Sequence, residues 1–310
     1  MNILIAYDGS DCANAAIDDL KLAGLPMDAH AVVLSVAEAW PILTTGGFGT
    51  LGEQGVLQSP QSVQSAAILA GDAMDEARVF AKQGADRLKG LFPGWQVEGR
   101  ACGGSPARTI LDVAEEWAAE LVVVGSHGRS AMERMFFGSV SQKVARYAPC
   151  CVRVARGHAD RAASPARLVI GFDGSSESRA AVTAVAQRSW PAGTQAWLVT
   201  ALDIRISATL PTFGDDDAIK PLERQARSAV AMLCEAGVDA ACELKPGYPN
   251  RLLIQEAEAR DADCLFVGAR GVTRLERFLM GSVSSAVIAR AHCTVEVIRE
   301  RGTKHAAKVG

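Results

Sequence analysis

Two stretches of this 310-residue chain carry the same spacing of glycine and serine. The first reads Gly125-Ser-His-Gly128, nine residues, then Gly138-Ser139. The second reads Gly268-Ala-Arg-Gly271, nine residues, then Gly281-Ser282. Both are G-x2-G-x9-G-S. The first two glycines lack a Cβ, so the loop can turn sharply and let a ligand approach the backbone. The Gly-Ser pair is placed to open a helix, where N–H groups without helical partners and the helix dipole favour an anion. One dipole contributes only ~0.3–1 kcal/mol, so several N–H donors and the serine hydroxyl must act together to hold phosphates. An aspartate stands after the first apolar run of each half, Asp8 in Ile5-Ala-Tyr-Asp8-Gly-Ser10 and Asp173 in Ile170-Gly-Phe-Asp173-Gly-Ser175. Either could act as a general base or magnesium ligand; hydrogen bonding at a strand end is the simpler role.

The surrounding pattern says what must position these residues. Asn2 to Tyr7, Ala31 to Val36, Gln96 to Ala101, Leu121 to Val124 and Cys151 to Ala155 read as strands. Between them lie helical patterns. Ala13, Ile17 and Leu20 share a face behind the capping residues Ser10 or Asp11. A long stretch runs from Ser62 to Leu91. Pro106 stands at a first helical position, followed by Ile110, Val113, Ala114 and Trp117 on one face. Gly138 to Tyr147 completes the set. Strands alternating with helices predict a parallel sheet covered on both sides. Ligands in such sheets sit beyond the carboxyl ends of the strands, which directs attention to Asp8, Val36 and Gly125 and to Asp173, Ala201 and Gly268.

The chain is a duplication. Comparing residue n with n+143 from Gly104 to Arg156 gives 21 identities in 53 positions without a gap. Chance gives roughly 6–8% for such a composition. The N-terminal parts match at n+165, so the first copy holds 22 extra residues, with the Gly/Ser/Gln-rich stretch 44–65 as the candidate. Expected domains are 1–156 and 167–300, with a linker at 157–166 and a frayed tail at 301–310. The last strands, Cys151 to Ala155 and Val295 to Ile298, alternate as edge strands do. An exposed edge invites pairing, so they are expected to pair across a pseudo-two-fold within one chain. Further association of chains is compatible with this.

Composition sets outer bounds. Apolar residues make up 49% and charged residues 22%, with a net charge of −3. That is ordinary globular chemistry, without the basic footprint of a nucleic-acid binder. No apolar run approaches the ~20 residues of a membrane helix, and the N-terminus lacks a basic n-region, so a cytoplasmic location is expected. The 8 cysteines include no CxxC pair and read as buried or idle thiols. Five scattered histidines lack zinc-ligand spacing. His127 reads as an exposed loop residue. Glu133-Arg134 and Glu276-Arg277 read as salt-bridged positions, with phosphate contact by the arginine as the alternative. Gly47-Phe-Gly49-Thr-Leu-Gly52 fits G-x-G-x-x-G but neither follows a strand nor opens a helix. It reads as a flexible loop, able to lie over the first site. No G-x4-G-K-[ST] loop is present.

The strand-end Asp8 and Asp173, both glycine loops, and the segments Gly138-Ser-Val-Ser141 and Ala148-Pro-Cys150 together resemble the universal stress protein family in its tandem form. The resemblance covers nearly the whole chain. It implies two Rossmann-like α/β domains, each with a mostly parallel five-stranded sheet and helices on both faces. It also implies ATP as the ligand, with magnesium as an optional companion. By that analogy Asp8 and Val36 line an adenine pocket, Gly125 and Gly128 pass the ribose and α-phosphate, and Gly138, Ser139 and Val140 hold the phosphate chain. Asp173, Ala201, Gly268, Gly271, Gly281, Ser282 and Val283 are the second set. Ala201 fills its pocket less than Val36 does, which predicts binding weaker by about 1–2 kcal/mol. The glycine loop alone does not count phosphates, so another adenine nucleotide stays open. Three functions compete: an ATP-dependent signalling module, a slow ATPase or self-phosphorylating enzyme, and a nucleotide-free scaffold.

Overall fold

The computed structural model describes residues 1–38, 60–128, 137–156, 165–202, 216–271 and 280–300, with the side chains of 60–67 and 216–218 excepted. The Gly47–Gly52 loop, the Glu-Arg pairs, most of the linker and the tail lie outside the described residues.

The first repeat runs β1 (Asn2–Ala6), α1 (Asp11–Asp19), β2 (His30–Ala37), α2 (Pro60–Leu91), β3 (Gln96–Gly103), α3 (Pro106–Glu116), β4 (Leu121–Gly125), α4 (Ser139–Tyr147) and β5 (Cys151–Ala155). The second runs β6 (Arg167–Gly171), α5 (Ser176–Ala186), β7 (Gln195–Leu202), α6 (Asp216–Glu235), β8 (Asp239–Pro246), α7 (Pro249–Ala259), β9 (Cys264–Gly268), α8 (Ser282–Arg290) and β10 (Thr294–Ile298). The start of α1 follows from its cap: Ser10 Oγ accepts the Ala13 N–H at 3.1 Å. Ser175 does the same for Ser178 at the start of α5.

Each repeat contributes five strands in the order β3-β2-β1-β4-β5, all parallel to one another. The second repeat mirrors this as β10-β9-β6-β7-β8. The halves join into one ten-stranded sheet through an antiparallel β5–β10 seam, as the edge pattern predicts. Val152, Arg153 and Val154 face Val297, Glu296 and Val295. Arg153 and Glu296 are repeat equivalents, so the pseudo-two-fold passes through their pair.

The alternation of side chains gives the sheet two unlike faces. On one face Leu4, Val122, Val152 and Val154 continue into Val295, Val297, Leu265 and Val169 as a core shared by both repeats, with buried residues of α3, α4, α7 and α8 over it. On the other face there are two separate cores. Ile3, Ile5, Leu121 and Val123 pack with residues of α1 and α2. Leu168, Ile170, Phe266 and Cys264 pack with residues of α5 and α6.

A largely buried ion cluster occupies the seam on that second face. Arg153 Nε donates to Asp19 Oδ2 at 2.6 Å, and its Nη1 donates to Glu296 Oε2 at 2.9 Å. Arg188 also holds Glu296, and Thr294 Oγ1 donates to Asp19 Oδ1 at 2.7 Å. The polar members of the edge-like alternation therefore face each other rather than solvent. Burial pushes the Glu296 carboxyl up, but Arg188 and Arg153 outweigh it and hold the group below its ordinary value.

All eight thiols are free. Burial pushes Cys151 and Cys264 up, and Cys293 to about 12, which keeps these three protonated and poorly nucleophilic. Among the described residues, no helix is long and apolar enough to cross a membrane.

Candidate functional site

The strand ends, the glycine loop and one helix N-terminus meet in each repeat. Ala6 is registered with Leu34, so two further residues bring Asp8, past the end of β1, level with Val36 in β2. Gly171 is registered with Val199, which sets Asp173 level with Ala201 in the same way. Val36 and Ala201 are partly buried against the shared core.

Each aspartate closes the turn into the following helix. Asp8 Oδ1 accepts the Ser10 N–H at 3.1 Å and the Ser10 hydroxyl at 2.6 Å. Asp173 Oδ1 accepts the Ser175 N–H at 3.0 Å. The strand-end hydrogen-bonding role is thus present in both repeats. The other carboxylate oxygen faces the glycine loop. A Cβ on Gly128 would stand 3.0 Å from Asp8 Oδ2, and one on Gly271 would stand 2.6 Å from Asp173 Oδ2. Only a residue without a side chain lets loop and carboxylate meet so closely.

Gly125 and Gly268 also have a packing role. A Cβ on Gly125 would stand 3.0 Å from the Cys12 carbonyl oxygen, and one on Gly268 would stand 2.8 Å from Glu177 Cβ. Their missing side chains make room for the first turn of α1 and of α5. These two glycines pack helix against strand.

The helix N-terminus is tied to the loop at several points. Gly138 N–H donates to Ser126 O at 2.8 Å, and Ser141 Oγ donates to Gly125 O at 2.6 Å. In the second repeat Gly281 N–H donates to Ala269 O at 2.7 Å, and Ser284 Oγ donates to Gly268 O at 2.6 Å. The Gly138 and Gly281 N–H groups are therefore already used. The next three, at Ser139, Val140 and Ser141 and at Ser282, Val283 and Ser284, lie in the first helical turn, where N–H groups have no partner within the helix. Neither helix has a side-chain cap from its N-cap glycine. Ser139 and Ser282 are exposed, and Val140 and Val283 are partly buried. Asp8, Gly128, Gly138, Ser139 and Val140 thus surround one place at the edge of the sheet, as do Asp173, Gly271, Gly281, Ser282 and Val283.

Besides Val36 and Ala201, the repeats differ at an ion pair. Glu177, in the first turn of α5, is buried, and its carboxylate accepts the backbone N–H of Arg270 within the loop. Arg270 Nε donates to the same carboxylate at 2.7 Å. The n+165 and n+143 equivalents in the first repeat are Cys12 and His127, a thiol and an imidazole. His127 is half-buried rather than exposed, with Nδ1 2.9 Å from Ser126 Oγ. Sequence reasoning missed Glu177, although an acidic residue in a helix's first turn was the available signal. The motif includes Ser141, but spacing alone does not show that its hydroxyl ties helix to loop. Among the described residues no three His, Cys, Asp or Glu side chains gather as a metal site requires.

Comparison with known proteins identifies the family of the chain. The profile of the universal stress protein family matches residues 1–156 and 166–299. A universal stress protein of Mycobacterium tuberculosis is 28% identical over 309 residues, covering 96% of this chain and 97% of its own. One from Methanocaldococcus jannaschii is 30% identical over 139 residues, 43% of this chain and 82% of its own. The crystal structure of a universal stress protein from Archaeoglobus fulgidus superposes with a TM-score of 0.65 at 18% identity, covering 97% of this chain and 98% of that one. With both repeats matched and nearly the whole length covered, this chain belongs to the universal stress protein family.

Proposed function

We propose that this protein is an ATP-binding signalling module in which nucleotide occupancy biases conformation or the choice of a protein partner. The observation that carries the reading is the uncapped N-terminus of α4 and of α8, each set beside a strand-end carboxylate and a glycine loop. A triphosphate suits first-turn N–H donors, and the apolar wall at Val36 suits an adenine ring. The strand-end aspartates already serve their turns, so the site is built for holding more than for rapid hydrolysis. Magnesium would accompany the phosphates.

Nucleotide released by heating the purified protein, quantified by mass spectrometry, is the direct test, followed by titration with ATP and magnesium. About one or two ATP per chain supports the reading. ADP alone moves weight to the ATPase. An empty protein that takes up no ATP at millimolar concentration refutes it.

The second site is expected to be the weaker one. Ala201 fills its pocket less than Val36, and Glu177 places on a loop N–H a negative charge that cancels the Arg270 guanidinium of the same loop. Glu177→Gln removes that charge while keeping the shape. It is expected to tighten ATP at the second site about fivefold, the equivalent of ~1 kcal/mol. Unchanged affinity in a calorimetric titration of Gly138→Asp/Glu177→Gln against Gly138→Asp would assign Glu177 to packing alone.

A further inference from the structure

Two arginines cross the seam in opposite directions. Arg156 follows β5 and Arg299 follows β10, and they are n+143 equivalents. Arg156 Nη2 donates to Ile288 O at 2.5 Å, in the last turn of α8. Arg299 Nη2 donates to Ala145 O at 2.5 Å, in the last turn of α4, while its Nη1 donates to Cys150 O at 3.2 Å. Ile288 and Ala145 are themselves repeat equivalents, so the device occurs twice under the pseudo-symmetry. A cation on the last carbonyls of a helix satisfies acceptors left without helical donors and complements the dipole. Each arginine comes from the repeat to which the helix does not belong.

The same strand ends hold the loops of their own repeat. Ser126 N–H donates to Ala155 O at 3.1 Å, next to Arg156. Ala269 N–H donates to Ile298 O at 2.8 Å, next to Arg299. The Arg156 guanidinium also lies 5.8 Å from the ring centre of Phe137, the residue before Gly138. Its Nη1 is buried without a hydrogen-bond partner among the described residues, a donor left over in the present arrangement. The first glycine loop is therefore one residue from an arginine that holds the far end of α8, whose near end frames the second site. The second loop stands in the same relation to α4 and the first site.

We infer that Arg156 and Arg299 are positioning residues for the site of the opposite repeat, and that through them occupancy of one site alters the affinity of the other. The inference rests on the reading of both sites as nucleotide sites. A ligand that draws in Gly138 and Ser139 acts on α4 as a rigid rod. The C-terminal carbonyls of α4 are gripped by Arg299, and Arg299 is continuous with the strand end that holds the Ala269 loop. Coupling between sites is reciprocal by linkage, which suits a device built in both directions.

Two measurements on the full chain test this. The first needs no nucleotide. In hydrogen exchange, Arg299→Met is expected to speed exchange in 138–147 more than in 281–290, and Arg156→Met the reverse. Changes confined to each arginine's own repeat would overturn the positioning role. The second is calorimetric titration with ATP and magnesium of the wild type, Gly138→Asp and Gly281→Asp. Independent sites give a wild-type isotherm equal to the sum of the single-site isotherms. A departure of about fivefold or more in one stepwise constant is expected. It should vanish in Arg156→Met/Arg299→Met and return in part with Arg156→Lys/Arg299→Lys. A wild type equal to the sum, or a departure that survives in the double methionine variant, overturns the coupling. If no form binds ATP, the proposed function and the coupling fall together, and hydrogen exchange alone still decides the positioning role.

Discussion

Replacing Arg153 with methionine is expected to lower the free energy of unfolding by about 3–5 kcal/mol, the usual cost of removing one partner from a buried ionic network. The side chain is fully buried on the axis relating the repeats, and it joins Asp19 of the first repeat to Glu296 of the second through charge-assisted bonds at 2.6 and 2.9 Å. Methionine fills most of the volume but leaves Asp19 with Thr294 and Glu296 with Arg188, each carrying charge that Arg153 had balanced. Urea denaturation followed by tryptophan fluorescence reads the loss, and a change below about 1 kcal/mol would show the cluster to be dispensable. The pH dependence has a definite sign. Glu296 in the folded protein lies below its ordinary 4.5, so its contribution is complete above that value and is lost as pH falls through the folded one. Arg153→Met removes one of the two guanidinium groups holding that carboxylate down. The difference between variant and wild type should therefore be largest near neutral pH and shrink in acid.

This cluster also bears on how the two repeats choose each other. Pairing two first repeats along β5 would set Arg153 against a second Arg153, and pairing two second repeats would set Glu296 against Glu296. Like charges buried together are costly, so the seam favours one first repeat with one second repeat. The shared core on the opposite face has no such preference, because Val152, Val154, Val295 and Val297 are alike.

Much of the architecture was legible because it rests on local patterns. The alternation of strands and helices, and the identities at n+143, define two parallel halves before any contact is known. The edge-like alternation of the last strands identifies the seam. What that alternation could not show is where Arg153 and Glu296 point. A charge between two valines reads as part of a solvated face, and only the partner strand and the ends of α1 and α5 turn that face into an interior. At the site, the glycine spacing located the loop and helix start. The division of labour within it depended on packing. Gly128 and Gly271 lie against carboxylates, whereas Gly125 and Gly268 lie against the first turns of α1 and α5. Nothing in the spacing separates those cases. Glu177 and the two crossing arginines escaped for a related reason, since each acts on a backbone group distant in sequence.

Gly138→Asp and Gly281→Asp are expected to abolish ATP binding at the substituted site, weakening it about 100-fold or more, while leaving the protein folded. The loss follows from setting a carboxylate at the helix N-terminus where the phosphates would lie. Like-charge contacts of this kind cost several kcal/mol, and ~1.4 kcal/mol is a factor of ten. Retained folding follows from the backbone. Gly138 has φ −65° and ψ 143°, and Gly281 has φ −64° and ψ 158°, regions open to any residue. A Cβ at Gly138 would meet Ser126 O at 3.2 Å and one at Gly281 would meet Ala269 O at 3.4 Å, contacts that small shifts relieve. Aspartate is also a favoured N-cap, so helix stability should hold or rise. Calorimetric titration paired with thermal melting separates these effects, and a melting temperature that falls together with affinity would mean that the substitution damages the fold. The two variants further report which site is tighter. If Val36 and Ala201 set the difference, Gly281→Asp keeps the tighter site and Gly138→Asp the weaker, by the roughly tenfold that two buried methyl-sized groups provide. Equal dissociation constants in the two variants would remove that role from Val36.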